Sequence, residues 1–407
     1  MTVETNTHGA AQDTRGLVIV GAGLAGVSAA QAARDAGFAG SIVLVGDERH
    51  LPYNRPPLSK AFLEADGLVD YFLTEDEFHN VLHVDLRLES RVEALDTRRR
   101  LLTTDRGDIF YDRLVIATGA APRNLPHLRR MAGVEALRTV DDAEKLRAAI
   151  TPGADIVIVG AGFIGSEIAS SARRRGATVT IVEAAAVPLV RAVGEIVGAA
   201  LSALHERNGT RLLLGSQVEE VLGDDRVEGV RVSGGEVIPA DLVVVGVGAA
   251  PATGWLAGSQ LALDPLDGSL VCDRNLQTSA DGVYAAGDVA RWPNGLLDAT
   301  MRLENWTNAA DQGRRAALNA VFPNRAEPYE VVPYFWSDWY GNRIQFVGTA
   351  AADSVDFVEG GPTEDRFVAL FSREDRIVGA ATLNEPRKIM KLRRLIAQKG
   401  AHDAGAL

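Results

Sequence analysis

The sequence predicts an α/β fold: two doubly wound parallel sheets, one inserted within the other, followed by a small α+β domain. Three observations predict it. Two stretches, LVIVGAGLAG and DIVIVGAGFIG, share one plan. Each is an apolar, β-branched run, then a glycine turn (Gly21, Gly23, Gly26; Gly160, Gly162, Gly165), then an Ala-rich stretch of helical character. Strand and helix patterns alternate onward from each turn. From Val331 the texture changes, with clustered aromatic residues, frequent turns and alternating strands.

The elements follow in order. Residues 1–13 are rich in Thr, Asn and Ala and are expected to be disordered. Leu17–Val20 reads as a buried strand and not as a signal peptide, because it runs into glycines without a cleavage site. SIVLVGDE is the second strand of the first βαβ unit, and PYNRPPLSK is a loop leading into a short helix. A second βαβ unit starts near Asp155, with TVTIVE as its second strand. The stretch from LLLGSQVEE to ADLVVVGVG reads as hairpin strands and then one buried strand. VYAAGDVA is a short strand and turn, and ENWTNAADQGRRAALNAVF is a helix. The strands ending at Gly119 and Gly287 are expected to share the first sheet. That gives a discontinuous first domain over 14–123 and 256–330, an inserted domain over 124–255, and a C-terminal domain over 331–407.

Composition narrows the function. The 407-residue chain carries a net charge of −12, which argues against nucleic acid, whose phosphates need a basic surface. No apolar run approaches the ~18 residues of a membrane helix, so a soluble, cytoplasmic protein is expected. Cys272 is the single cysteine. It excludes an intrachain disulfide and a redox-active cysteine pair, and no metal site is expected.

Both G-x-G-x-x-G turns have the context that makes them Rossmann-like dinucleotide fingerprints. The first glycine permits the tight turn, the second admits the pyrophosphate to the backbone, and the third lets helix and strand pack closely. The helix N-terminus then offers free N–H groups to the phosphates. Two such sites imply two dinucleotides, and the usual reason to hold two is to pass electrons between them.

Acids beyond each fingerprint refine the reading. Glu183 ends its strand and can accept hydrogen bonds from an adenosine ribose. Ala184, Ala185, Ala186 and Val187 follow, so no arginine waits for a 2′-phosphate and NADH is favoured over NADPH. The first unit has Asp47 or Glu48 in the equivalent place. A solvated strand-end carboxylate is the other reading of each. In RPPLSK, Pro56 and Pro57 stiffen the loop, Arg55 is expected to be extended, and Lys60 can set a cation beside a flavin. The alternative is a stiff surface loop with a solvated lysine. Thr118-Gly119 and Gly287-Asp288 end strands where backbone can approach a cofactor, with Asp288 suited to ribityl hydroxyls or to a plain helix cap.

Together these motifs resemble the FAD- and NADH-dependent ferredoxin reductases of bacterial oxygenase systems. The resemblance runs from about Leu17 to Ile377 and rests on GAGLAG, PYNRPPLSK, YDRLVIATGA, GAGFIGSE, GVG, VYAAGD, ENWTNAADQGRRAA and YFWSDWYGNRIQFVG. It implies that Glu48, Arg55, Lys60, Arg138 and the backbone near Val92 contact FAD. It also implies that Asp288 binds the ribityl or pyrophosphate portion and that Trp306 lies at the isoalloxazine edge. Glu167 would orient the nicotinamide, Glu183 the NAD ribose, and Gly248 would back the nicotinamide pocket. Trp336 would wall the flavin site, although by composition alone it reads as a core tryptophan. The family commonly has an arginine where this chain has Val187, so NADH binding would lean on Arg191.

The activity implied is hydride transfer from NADH to the flavin, set by orientation and not by a protein nucleophile, followed by single-electron delivery to an iron–sulfur ferredoxin. A basic segment over 387–399 (Arg387, Lys388, Lys391, Arg393, Arg394, Lys399), with Arg314 and Arg315, would attract an acidic ferredoxin. A solvated amphipathic helix is the other reading of that segment. Two rival functions exist on this fold. An NADH oxidase or peroxidase usually needs a reactive cysteine near the flavin, and residues 53–62 have none. A signalling flavoprotein of the apoptosis-inducing-factor type also carries FWSD.

Overall fold

The computed structural model describes residues 16–65, 67–123, 125 and 131–399. The N-terminal stretch expected to be disordered lies outside the described residues. The chain divides into two compact units. The first takes residues 16–53, Tyr71–Ala120 and Pro251–Glu330, and the second takes Asn54–Asp70, Ala121–Ala250 and 331–399.

The first unit is built on a five-stranded parallel sheet. Its order is Val283–Ala285, Arg113–Ile116, Gly16–Val20, Ser41–Val45, Val84–Arg87. The fingerprint strand is therefore central and buried throughout, as its unbroken apolar run requires. The strands that lead to Gly119 and Gly287 lie side by side in this sheet. Helix Leu24–Asp35 follows the fingerprint and packs on helix Trp306–Val321. A three-stranded antiparallel meander, Val92–Asp96, Leu101–Thr104 and Gly107–Phe110, and a small sheet of Leu270–Val271, Ala290–Asn294 and Ala299–Met301 also belong to this unit.

The second unit repeats the plan. Its parallel sheet runs Arg211–Leu214, Thr178–Glu183, Asp155–Val159, Leu242–Val245, Val134–Glu135. The run LLL, expected as a hairpin arm, is instead the parallel edge strand beside Thr178–Glu183. The preceding helix Val190–Arg207 supplies the crossover that a parallel partner needs, and the antiparallel strands begin only at Val218. Both fingerprint helices stop alike. Gly37 (φ +82°) and Gly176 (φ +85°) follow them in left-handed conformation. Phe38 N–H reaches back to the Ala33 carbonyl, and Ala177 N–H to that of Ala172, which satisfies the last carbonyls.

Residues 331–399 form a five-stranded antiparallel sheet and a closing helix, Pro386–Ala397. Alternate residues of its strands, including Trp339, Ile344, Phe346, Phe367 and Phe371, bury against Val193, Val197, Leu201 and Leu204 of helix Val190–Arg207. This shared apolar core is why the C-terminal sheet groups with the second fingerprint. Segment Asn54–Asp70 groups there through polar clamps. Arg175 donates to the Leu63 carbonyl, Arg147 to that of Ala65, and Arg174 pairs with Glu64.

The expected extended Arg55 is not observed. It has φ −78° and ψ −34° and opens the 3₁₀ turn Pro56–Ser59. A following proline disfavours this region without forbidding it. Two bonds hold it here: Leu58 N–H donates to the Arg55 carbonyl, and the Arg55 guanidinium donates to the Arg138 carbonyl at 2.6 Å.

Gly313, on helix Trp306–Val321, sets the approach of the two helices in the first unit. A Cβ there would stand 2.1 Å from the Ala25 carbonyl oxygen. Gly313→Ala is expected to cost about 1–3 kcal/mol, read as a lower midpoint in denaturant. An unchanged midpoint would contradict the packing described.

Candidate functional site

In the first unit the fingerprint glycines have separate duties. Gly21 (φ +110°) would put a Cβ 2.2 Å from the Ala117 carbonyl oxygen, and Gly26 would put one 2.0 Å from that of Gly21. Both are set by close backbone approach. At Gly23 a Cβ would meet nothing within 4 Å, so the open side of the turn lies there, at the N-terminus of helix Leu24–Asp35. That is the cradle a pyrophosphate fits. Thr118 donates to the Ala252 carbonyl, and Gly119 has φ +68°. Glu48 accepts the Tyr53 hydroxyl at 2.5 Å. Val92 begins its strand, and Trp306, at 39 % exposure, begins its helix.

Asp288 sits in a 3₁₀ turn, Gly287–Val289, and not at the N-cap of an α-helix. Two supports hold this turn. Gln312, fully buried, accepts the Gly287 N–H at 2.8 Å. Arg302 donates to the Asp288 carbonyl at 3.1 Å and is itself tied to Asp267 at 2.8 Å. Burial opposes charge on Asp267, but hydrogen bonds from Ser269, Arg302 and Arg291 outweigh it and hold its carboxyl well below the usual range. The residues present fit FAD: an open glycine turn, a strand-end acid and a braced carboxylate turn.

The second unit has a matching cradle. Gly160 (φ +102°) would put a Cβ 2.6 Å from the Gly246 carbonyl oxygen, and Gly165 would put one 2.3 Å from that of Gly160. At Gly162 the nearest atom is 3.9 Å away. Glu183 is held by backbone, with Ala161 N–H donating to Oε2 at 2.7 Å and Ala185 N–H to Oε1 at 2.9 Å. Each oxygen keeps a lone pair for a ribose hydroxyl. Ala184, Ala185 and Ala186 are exposed after it, and exposed Arg191 lies in the first turn of the next helix. Gly248 has φ +94° and open space where a side chain would be. These residues fit NADH.

The second unit also gathers candidates that are far apart in sequence. Glu167, on helix Phe163–Arg174, is only 3 % exposed. Lys60 Nζ stands 2.7 Å from its Oε1, Ser337 donates to the same oxygen at 2.5 Å, and Ser59 donates to Oε2 at 2.5 Å. The Lys60 side chain keeps 20 % exposure. Trp336 stacks on Tyr334, and Arg343 lies over it at 5.3 Å while gripping Asp338. Arg138 contributes its carbonyl to Arg55 and precedes the capping-box residue Thr139.

Sequence reasoning missed Gln312, Ser337 and a buried histidine. His205 is 1 % exposed and stacks on Trp339. Its Nε2 meets Ser166 Oγ at 3.1 Å and its Nδ1 meets the Tyr340 hydroxyl at 2.8 Å. Burial pushes its pKa down to about 4. Ser337 lies inside a motif already noted, but its neighbour Trp336 carried the signal. Cys272 is buried, and burial lifts its thiol to about 12, so it is no thiolate nucleophile.

The pyridine nucleotide-disulphide oxidoreductase family model matches residues 15–313, and a reductase C-terminal model matches 334–407. The chain is 36 % identical to rhodocoxin reductase of Rhodococcus erythropolis, covering 94 % of this chain and 89 % of that one. It is 37 % identical to the ferredoxin–NAD(+) reductase component of the p-cumate 2,3-dioxygenase system of Pseudomonas putida, covering 96 % of both. Its structure superposes with TM-score 0.89 on the covalent putidaredoxin reductase–putidaredoxin complex, at 32 % identity over 96 % of this chain and 94 % of that one.

Two outcomes are expected. Gly23→Val should leave the apoprotein's melting temperature unchanged, since nothing stands where its Cβ would go, while lowering flavin content on purification; full flavin loading would contradict the cradle. His205 stays neutral when folded down to about pH 4, whereas its unfolded form takes a proton near 6.5. The unfolded state therefore binds more protons in that window, and stability falls as pH drops from 6.5 towards 4. His205→Gln should show a shallower decline over that range, and parallel profiles would rule the contribution out.

Proposed function

The chain belongs to the pyridine nucleotide-disulphide oxidoreductase family, and from that premise we infer that it is an FAD-containing NADH:ferredoxin oxidoreductase. When bound, the flavin accepts hydride from NADH and returns its electrons singly to an iron–sulfur ferredoxin that feeds an oxygenase. The observation that carries this reading is the pair of glycine cradles, each open only at its middle glycine, in a chain similar along nearly its whole length to such reductases. No helix among the described residues is long and apolar enough to cross a membrane.

The site assignments belong to the same proposal. FAD is held by the turn at Gly21, Gly23 and Gly26 and by Glu48, Thr118, Gly119 and Asp288, with Arg55, Arg138, Val92 and Trp306 as further contacts. NADH is held by Gly160, Gly162, Gly165, Glu183, Arg191 and Gly248. Glu183 also disfavours a 2′-phosphate, since its carboxylate, held in place by two backbone donors, would repel that group's charge. Lys60 presents a cation to the flavin, Trp336 bounds the flavin site, and Glu167 orients the nicotinamide by fixing the Lys60 ammonium, because its own oxygens are buried and engaged. The domain division follows: FAD with 14–123 and 256–330, NADH with 124–255, and an interface role for 331–407.

For the ferredoxin we propose the exposed face of helix Pro386–Ala397 as the dock. Arg387, Lys391 and Arg394 recur there at helical spacing on the exposed side. Lys388 is paired with Glu359, and Arg393 donates to the Val332 carbonyl, so these two hold the helix down. Arg315 is likewise tied to Glu327, while Arg314 is exposed. An acidic partner suits this face.

The test uses two acceptors. Arg387→Glu/Lys391→Glu/Arg394→Glu is expected to lower kcat/KM for ferredoxin by about tenfold or more at low salt. Ferricyanide reduction by NADH should stay as in the wild type. Equal loss with both acceptors, or none with ferredoxin, would remove the docking assignment. Flavin reduced by NADPH but not by NADH would remove the role given to Glu183.

A further inference from the structure

We propose that Ser337 is a positioning residue for the hydride-transfer site, fixing in one place the Glu167–Lys60 ion pair and the strand that carries Trp336. The inference rests on the reading that places Lys60 and Trp336 at the flavin.

The argument begins with hydrogen-bond inventory. The indole N–H of Trp339 can only donate, and it donates to Ser337 Oγ at 2.7 Å. The single hydroxyl proton of Ser337 is therefore left for Glu167 Oε1. Trp339 and Ser337 are both fully buried, so neither has water as an alternative. The direction of the relay, indole to hydroxyl to carboxylate, is set by donor chemistry. Glu167 then accepts from Ser337 and Lys60 at one oxygen and from Ser59 at the other. Three donors from two separate stretches, Ser59 and Lys60 on one and Ser337 on the other, fix the plane of one carboxylate, and with it the place of the Lys60 ammonium.

Strand geometry extends the effect. Side chains alternate along strand Tyr334–Trp339, so Ser337 and Trp336 point to opposite faces of the sheet. The Glu167–Ser337 bond therefore locks the backbone that carries Trp336. A second staple stands nearby: Tyr340 N–H donates to Ser170 Oγ at 2.7 Å, on the same helix as Glu167. Arg343 then fixes Trp336 from the outer face. Losing the Ser337 hydroxyl removes a donor from Glu167 and the acceptor of Trp339 together.

The experiment uses FAD-loaded enzyme and three readouts: limiting rate of flavin reduction by NADH in stopped flow, apparent NADH Kd, and flavin midpoint potential. Ser337→Ala is expected to lower the limiting rate by about tenfold, as loss of a hydrogen bond to a charged group suggests. It should also shift the potential, with NADH Kd within about twofold of wild type. Ser337→Thr, which keeps the hydroxyl, should restore both. Near-isosteric Ser337→Cys keeps the strand packed and should repeat the loss if the alanine variant folds poorly. Wild-type rate and potential in the Ala and Cys variants, or no rescue by Thr, would overturn the proposal. Glu167→Gln separates the two levels. If it changes rate and potential while Ser337→Ala does not, only the Ser337 inference falls. If it changes neither, the underlying reading of Lys60 and Glu167 fails.

Discussion

A carboxylate taken out of water needs a partner, and Glu167 has three. Burying an unpaired charge costs several kcal/mol, and leaving a paired one short of donors costs nearly as much. Lys60, Ser59 and Ser337 together meet that demand. They come from the proline-stiffened segment 54–70 and from the C-terminal sheet, while Glu167 itself comes from the fingerprint helix. The electrostatic requirement of one side chain thus ties three distant stretches into one unit. It also explains why 54–70 leaves the first sheet's unit, to be clamped by Arg147, Arg174 and Arg175.

Around this charge the apolar packing does the larger share of holding. Trp339, Phe346, Phe367 and Phe371 of the C-terminal sheet bury against helix Val190–Arg207. His205 is drawn into the same layer, neutral, between Ser166 and Tyr340. Ser166 immediately precedes Glu167 on its helix, so the polar network and the aromatic core brace one turn from both sides. The two nucleotide cradles obey a simpler rule. Each has two glycines fixed by carbonyl oxygens at 2.0–2.6 Å from a would-be Cβ, and a middle glycine facing open space. The same backbone solution recurs because each turn must carry a buried strand straight into a closely packed helix.

Both cradles sit on rigid elements: the turns at Gly119 and Gly287 just past their strands, Glu183 at the end of its strand, and the helix N-termini after each fingerprint. The Lys60 ammonium keeps partial exposure while its counter-charge, Glu167, is buried. Buried Cys272, its thiol raised by desolvation, takes no part, which leaves the route of electrons to the cofactors and not to a dithiol.

Both parallel sheets, the glycine turns and the order of elements were legible in the sequence, because local periodicity and backbone need are written in consecutive residues. A run such as LVIVGAGLAG states strand, turn and helix by itself. Three things were not legible. Arg55 is helical before a proline because the Arg138 carbonyl, 83 positions away, receives its guanidinium. The run at 212–214 joins a parallel sheet because a helix carries it there. Ser59 and Ser337 are ordinary serines until folding places them 2.5 Å from one carboxylate. The sequence by itself determined the two parallel sheets, their glycine turns and the order of the elements. Only the tertiary structure decided which polar side chains meet, because a hydrogen bond depends on separation in space and short motifs carry no record of it.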